Sequence, residues 1–509
     1  MNVLIKFTSC LPIYLTSIFK KSLMKKSLLF SIIISVLFIL SCKSEKKSAF
    51  KLSTNAILVY NGKIINVTNG EILKDKAILI DSGMIKAIGD YEIFKSEVDT
   101  NHQYNASNKF IIPGLWDMHV HIEGENLVED NLALLPVFVA YGVTTVRDMA
   151  SDLGEQVLEW RDEIEQNKIL GPQIFTAGRK LEGVNSIWKG DLEIANEEEL
   201  SEMLDKLESY NVDLVKITEN TLPGPLFLKS VQEAKKRGFM VSGHIPIDLT
   251  VQELVDEGFT SIEHASYALR LGNDEKDIVA KVKTGEITKE RANELYATGF
   301  DQEIANLAYQ KLGKTIVAIT PTLIGGKQLA YLDENNHEND AYLAYLTNRF
   351  TSNYQWRIDR MANDSPDDRQ ARKDRYQLIA KQLPYFQEAG INILAGSDAA
   401  ALNTYVYPAQ SLHEELMLFQ DAGLTPLQIL QSATINGAKL MGTLTTMATV
   451  EVNKQADLVL LNSNPLEDIK ATQDIYAVVN DGEYFDKDKI DVLLENAKDR
   501  KIELDTERN

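Results

Sequence analysis

Residues 110–122 run Phe110-Ile111-Ile112-Pro113-Gly114-Leu115-Trp116-Asp117-Met118-His119-Val120-His121-Ile122. A short apolar run that breaks at Pro113-Gly114 and continues into His119-x-His121 reads as a strand ending in two ligands, because alternate strand residues face the same way. His119 and His121 then share one face, ~7 Å apart at Cα on a ~3.3 Å rise. Imidazoles with metal bonds of about 2.0 to 2.1 Å can converge on one ion from there. Met118 and Val120 face the other way, into an apolar layer. Two histidines also fall two apart by chance, so the rest of the chain has to decide.

From this stretch onward, short apolar runs alternate with long helical patterns, the signal for β/α units and a parallel sheet. Eight candidate strands stand out, at 110–115, 144–148, 173–177, 214–218, 240–244, 260–264, 316–320 and 391–397. Eight is the number that closes a barrel, and active sites in such barrels gather at the C-terminal strand ends. The expectation is an α/β protein with a (β/α)8 TIM barrel over residues 111–445. Ahead of it, residues 54–110 hold β-branched runs separated by Asn61-Gly62, Asn69-Gly70 and Asp81-Ser82-Gly83, which is hairpin chemistry. Similar runs return within 446–490. Two β pieces at opposite ends of a central region suggest one small β-sandwich domain built from both termini, followed by a C-terminal tail over 491–509.

A chain of 509 residues suffices for a barrel of about 250 residues and a second domain. With 44% hydrophobic and 25% charged residues, wholesale disorder is excluded. The net charge of −21 becomes −26 without residues 1–41, which carry five lysines and no acids. Such a surface repels phosphate backbones, so nucleic acid is excluded as a partner. The two cysteines, Cys10 and Cys42, leave no disulfide framework or zinc–thiolate site to build.

From Met24 a basic start, an apolar run over 28–40 and Ser41-Cys42 form a secretory signal pattern, so residues 1–41 are a signal segment, with 1–23 an upstream extension. The cysteine at the break resembles that of a bacterial lipoprotein signal, with Leu40 where a small residue is more usual. That resemblance implies lipidation at Cys42, a solvated linker over 42–53, and a domain held at a membrane by its lipid anchor, in the cell envelope outside the cytoplasm. An ordinary signal anchor with an incidental cysteine is the other reading.

Of seven histidines, four lie at strand ends: His119, His121, His244 and His264. A single strand histidine is most often a core or surface residue. Four at one barrel mouth point to a metal site. Asp398, after the buried-strand pattern 391–396, offers a carboxylate able to ligate a metal, take a proton from water and return it to a leaving group. It also fits a turn aspartate. Lys216, flanked by Val215 and Ile217, points into the barrel, where burial lowers an ammonium's pKa. As a neutral amine it can capture carbon dioxide as a carbamate able to bridge two ions; as a cation it pairs with Asp398 or Glu263.

Together, Pro113-Gly-Leu-Trp-Asp-Met-His-Val-His121, Gly142-Val-Thr-Thr-Val-Arg-Asp148, Val212-Asp-Leu-Val-Lys-Ile217, Gly243-His244, Ser261-Ile-Glu-His264, Ala395-Gly-Ser-Asp398 and Ala456-Asp-Leu-Val-Leu-Leu461 resemble the amidohydrolase superfamily. Within it the similarity is to imidazolonepropionase-like members and to the dinuclear Xaa-Pro and Xaa-Arg/Lys dipeptidases. The resemblance implies His119, His121 and Asp398 on the more buried ion, His244 and His264 on the second, and carboxylated Lys216 as the bridge. It also implies two divalent ions, zinc first among manganese, cobalt and iron. A hydroxide held between them is the nucleophile, with Asp398 the proton shuttle. The expected activity is hydrolysis of an amide or peptide bond in a small molecule such as a dipeptide or N-acyl amino acid. Alternatives are a cyclic amide, lactone or imidazolone at the same site, or a lipoprotein that binds a ligand without turnover.

Outside the constellation, residues 326–386 are longer than a normal β/α connection and rich in aromatics, including Tyr342, Phe350, Tyr354 and Trp356. They read as a small helical core, with a lid or a homo-oligomer contact as the second reading. The loop after the third strand, with Trp188, is the better candidate to touch substrate. Arg147 and Arg179 are the candidate clamps for a substrate carboxylate, and Arg147 also suits bracing the barrel. His413-Glu414 lacks the second histidine of a zincin motif.

Overall fold

The computed structural model describes residues 50–507; the expected signal segment, Cys42 and most of the expected linker lie outside them. No helix among the described residues is long and apolar enough to cross a membrane. From Leu115 the chain alternates parallel strands and helices. Strands Leu115–Val120, Val143–Asp148 and Gln173–Thr176 form a three-stranded sheet. A seven-stranded parallel sheet runs in the order Leu192–Ile194, Leu181–Gly183, Leu214–Ile217, Met240–Gly243, Phe259–Glu263, Ala318–Thr320 and Asn392–Ile393.

Backbone hydrogen bonds continue across both gaps between these sheets. On one side Met118 N donates to Ala395 O (2.8 Å), Asp398 N to His119 O (2.7 Å) and His121 N to Ala399 O (2.9 Å); on the other Asp213 N donates to Thr176 O (3.0 Å). The first seam is reinforced by buried Asp117, which accepts from Ser397 N (2.9 Å) and Ser397 Oγ (2.6 Å). Strands covered on both faces should be apolar along their whole length, and Leu115–Val120 and Val143–Asp148 are buried at every residue.

The stretch 110–122 holds two strands where one was expected to start the barrel. Phe110–Pro113 belongs to the other sheet, antiparallel to Leu458–Leu461 and parallel to Ile57–Ile65. The parallel series begins at Leu115. The break falls at Gly114, where a Cβ would lie 2.0 Å from Thr144 Oγ1, so only glycine lets the chain turn from one sheet into the next. The boundary expected between 110 and 111 therefore moves to Pro113-Gly114. The eighth expected strand, 391–397, is regular only over Asn392–Ile393.

The β pieces from both ends join in one eight-stranded sheet rather than two separate layers. Its order is Glu483–Phe485, Ile475–Asn480, Leu458–Leu461, Phe110–Pro113, Ile57–Ile65, Ile72–Asp81, Met84–Gly89, with Gln103–Asn105 against Ile57–Ile65. The sheet curls: Ile85 N donates to Lys454 O and Ala456 N to Gly83 O. Alternate residues such as Val59, Ile78, Ile80, Ile111, Leu458 and Val479 therefore share one interior. Asn61-Gly62 is no hairpin turn. It is a bulge inside Ile57–Ile65, with Asn61 at φ +60° and the Ile111 side chain filling the space of the missing Cβ. Asn69-Gly70 does turn the chain.

The expected tail is a helix, Lys487–Thr506, capped by Asp486 accepting from Lys489 N, with Ile490, Ala497 and Leu504 buried at heptad spacing. Residues 326–386 form several helices in which Tyr342, Phe350 and Tyr354 are buried with Leu134, Val137 and Tyr407, while Trp356 is half-buried, its Nε1 donating to Leu402 O.

His413 pins helix Gln410–Asp421 to the end of helix Val128–Ala140 and to the turn Ile469–Gln473. Its ring is 1% exposed, with Nε2 donating to Tyr141 O (2.9 Å) and Nδ1 against Thr472 Oγ1 (3.0 Å). Burial pushes its pKa down to about 4, with the Tyr141 carbonyl opposing. The folded state thus favours the neutral ring. The stabilisation is complete above pH ~6.5 and is lost as pH falls toward 4, where the unfolded chain takes a proton that the native chain refuses, a loss on the order of 3 kcal/mol. Denaturant melts of wild type and His413→Gln between pH 7 and 4 should show a shallower loss in the variant; parallel curves would refute this.

Candidate metal centre

The C-terminal ends of the parallel strands bring five of the six expected ligands into one chain of contacts. His119 Nε2 lies 3.3 Å from His121 Nε2, and Asp398 Oδ1 lies 3.5 and 3.4 Å from these two nitrogens. His264 Nε2 lies 3.2 Å from His244 Nε2, and His264 Nδ1 lies 3.9 Å from Asp398 Oδ2. Ligand atoms of His119, His264 and Asp398 all fall within 4.8 Å of one another.

The outward nitrogen of each ring sets what the inward one offers. His119 Nδ1 is 2.8 Å from Glu263 Oε2, His121 Nδ1 is 2.7 Å from Ala150 O, and His244 Nδ1 is 2.9 Å from Glu219 Oε2. A carboxylate and a carbonyl only accept, so these three Nδ1 atoms carry the protons. His264 Nδ1 donates to Thr322 Oγ1 (2.7 Å), whose own proton goes to Pro321 O (2.8 Å). Every Nε2 in its neutral ring is therefore a bare lone pair. Two such pairs facing each other at 3.2 and 3.3 Å, with a carboxylate between them, repel unless a cation takes up the electron density. This donor set fits divalent ions, and its outward partners are the kind that orient metal-bound histidines.

Burial lowers the His119 pKa to about 4, which keeps that ring neutral. Burial would push Asp398 up, but positive charge at His119, His121 and His264 outweighs it and holds the carboxyl well below the ordinary carboxylate range; with the rings neutral, that charge has to come from a bound cation. Lys216 is 1% exposed, and its Nζ has no hydrogen-bond partner among the described residues. Burial brings its pKa down to about 8, partly offset by Glu263 and Asp398. Lys216 is thus a buried amine of lowered basicity that the described residues leave unpaired.

Sequence reasoning missed the outer partners. Glu263 entered only as a partner for Lys216, yet it holds His119 and is itself gripped by Arg147, whose Nη2 reaches Oε1 (2.9 Å) and Oε2 (3.0 Å) while Nε donates to Met118 O (2.7 Å). Arg147 is thus a brace. Glu219, which holds His244 and accepts from Tyr267, and the Ala150 carbonyl went unremarked. A signal existed for Glu263: a carboxylate inside the apolar run Ser261-Ile-Glu-His has to be paired if buried. Arg179 is bound to Glu155 (2.9 Å) and to Gly190 O (3.0 Å).

Backbone strain gathers here. His264 (φ +71°), Asp398 (φ +60°) and Ala150 (φ +99°) all adopt the left-handed region without being glycine. Gly243, just below His244, comes so close to the neighbouring strand that a Cβ would sit 2.0 Å from Ile217 O. Two cavities flank the centre. One of about 400 Å³ opens on His264, Thr322 and Asp398. The other, of about 340 Å³, is lined by Glu123, Ala150, Lys180 and Trp188, so the Trp188 loop does border the site.

The chain is 35% identical over 106 residues to adenine deaminase of Listeria welshimeri, a match spanning 20% of this chain and 17% of that protein. Among solved structures, a bottromycin amidohydrolase superposes with a TM-score of 0.65 at 17% identity, over 88% of this chain and 91% of that one. A Xaa-Pro dipeptidase with methionine bound in its active site superposes with a TM-score of 0.62 at 20% identity, over 85% and 100%. The sequence profile of the amidohydrolase family matches residues 110–484, most of the chain and every residue of the centre, and the protein belongs to that family.

Proposed function

We propose that this protein is a metal-dependent hydrolase that cleaves the carbon–nitrogen bond of an amide or peptide in a small substrate. The observation that carries the reading is the pair of Nε2–Nε2 contacts joined by Asp398. The fold supports it: the parallel strands and the hydrogen bonds across both seams read as a (β/α)8 barrel with its site at the C-terminal ends. His119, His121 and Asp398 would hold one divalent ion, His244 and His264 a second, and Lys216, carboxylated on Nζ, would bridge them; zinc suits the donors best. Such ions supply Lewis acidity and lower the pKa of water.

The chain's own residues do the rest. Asp398, ionised and facing both histidine pairs, takes a proton from water as its oxygen adds to the scissile carbonyl. It returns that proton to the nitrogen as the carbon–nitrogen bond breaks. Glu263, fixed by Arg147, keeps His119 a lone-pair donor throughout. The match to adenine deaminase supports a second reading, hydrolysis of a ring carbon–nitrogen bond at the same centre. The signal pattern and Cys42 support a lipid-anchored enzyme of the bacterial cell envelope.

Elemental analysis of protein grown with added zinc should find two ions per chain, falling to one or fewer in Lys216→Ala, with hydrolysis of a dipeptide and N-acyl amino acid panel lost. One ion in both proteins, with activity surviving, would overturn the carbamate. Asp398→Asn should lower kcat by about 10²- to 10⁴-fold on the same panel; near-wild-type kcat would remove Asp398 from proton transfer.

A further inference from the structure

The cavity of about 400 Å³ beside His264 and Asp398 is cationic in a way the metal chemistry does not require. Arg357, Arg372 and Arg375 line it, while Asp398, already surrounded by imidazoles, is the one acidic side chain doing so among the described residues. Two of these arginines come from one helix, Pro366–Ala380, started by Pro366 and by the Ser365 capping box with Asp368. On it, Arg372, Arg375, Tyr376 and Ile379 follow an i, i+3, i+4, i+7 pattern, one continuous stripe, and all four face the cavity. A helix packing inward normally makes that stripe apolar. Here two guanidinium groups stand in it, Arg372 half-buried and Arg375 exposed at the cavity rim.

The three arginines differ in what occupies them. Arg372 is ion-paired with Asp364. Arg357, from helix Gln355–Met361, is fixed by neutral acceptors: Nε donates to Leu402 O (2.9 Å) and Nη2 to Asn403 Oδ1 (2.5 Å). Its charge is uncompensated by any carboxylate ion pair among the described residues. Arg375 has neither an ion pair nor a hydrogen bond among the described residues, and it stands where this cavity meets the larger one bordered by Glu219 and Tyr267. Two guanidiniums held in no carboxylate ion pair, Arg357 feeling Asp398 only at longer range, suit a planar anion. Leu329, Ile379 and Val406 supply an apolar wall to the same space.

We propose that Arg357 and Arg375 bind a free carboxylate on the substrate, so that the enzyme selects dipeptides or N-acyl amino acids whose carboxyl-terminal residue is apolar and unblocked. This rests on the hydrolase reading above and assigns its specificity to the inserted helices of residues 355–380. A charge-assisted, bidentate contact of this kind contributes a factor of about 10 to 100 in affinity.

Two readouts separate this proposal from the one it rests on. The first is kcat/KM on alanyl-leucine against alanyl-leucinamide, in wild type, Arg375→Met, Arg357→Met and, as a control, Arg369→Met on the same helix outside the cavity. Wild type and the control should prefer the free acid at least 10-fold, and each cavity variant should lose most of that preference through KM. The second needs no turnover: calorimetric binding of 4-methylpentanoate against 4-methylpentanol to the metal-loaded protein. The carboxylate should bind at least 10-fold tighter to wild type than to either cavity variant. Hydrolysis of both dipeptides without preference, or 4-methylpentanoate affinity equal in all four proteins, overturns the carboxylate assignment and leaves the hydrolase standing. Arginine-dependent binding with no turnover by metal-loaded protein overturns the hydrolase and keeps the receptor. Binding that follows metal content but not the arginines also overturns the assignment.

Discussion

An imidazole can offer one lone pair to a cation only if its other nitrogen keeps the proton, and this constraint organises the middle of the molecule. Four rings need four outward acceptors, and the fold provides Glu263, Ala150 O, Glu219 and Thr322 Oγ1. Two of these are carboxylates, and Glu263 is fully buried, which is unfavourable by itself. Burial pushes the Glu263 carboxyl up, but Arg147 and His119 outweigh it and hold it well below the usual range. Arg147 is therefore drawn inside, where it also ties Met118 and Thr320 to one hub. A buried pair of this kind contributes little net stability against apolar residues of the same volume. Its presence is explained by the ring it orients.

The same demand explains the strain. Two of the ligands converge by leaving the regular ladder, His264 immediately after Phe259–Glu263 and Asp398 in the irregular segment after Asn392–Ile393, both in left-handed conformations. Gly243 allows the strand bearing His244 to press against Ile217, bringing His244 within 3.2 Å of His264. The Asp117–Ser397 bonds at the seam fix the segment on which Asp398 rides. Stability around the centre is thus arranged to hold five side chains at close, mutually repulsive distances.

Much of this was legible in the chain. Strand residues alternate with period two, so His119-x-His121 announced a shared face, and the histidines ending 240–244 and 260–264 announced a common mouth. What escaped was whatever depends on neighbours distant in sequence. Phe110–Pro113 and Leu115–Val120 look like one apolar run, and only pairing with Leu458–Leu461 separates them. Asn61-Gly62 carries hairpin chemistry, but its Asn-Gly pair is equally suited to a bulge, and the ladder to Ile72–Asp81 decides. Residues 491–509, thin in apolar residues, read as a tail because their buried positions, Ala497 and Leu504, lie seven apart and have meaning only against a partner surface.

The arginines of helix Pro366–Ala380 show why specificity is harder to read than chemistry. Ligand geometry is imposed by the metal ion and leaves a local mark, a histidine at a strand end. A substrate receptor is imposed by a molecule outside the sequence, and its mark is a pattern that local rules count as ordinary. Arg372 and Arg375 in a charged, glycine-free segment look like a solvated face. Only the placement of Tyr376 and Ile379, four residues after Arg372 and Arg375 respectively, against the same cavity shows that the stripe borders it. On the proposed reading the ends of the parallel strands carry the reaction and the helices of residues 355–380 carry the choice of what reacts, the two meeting at Asn403, which joins Arg357 to the Asp398 carbonyl.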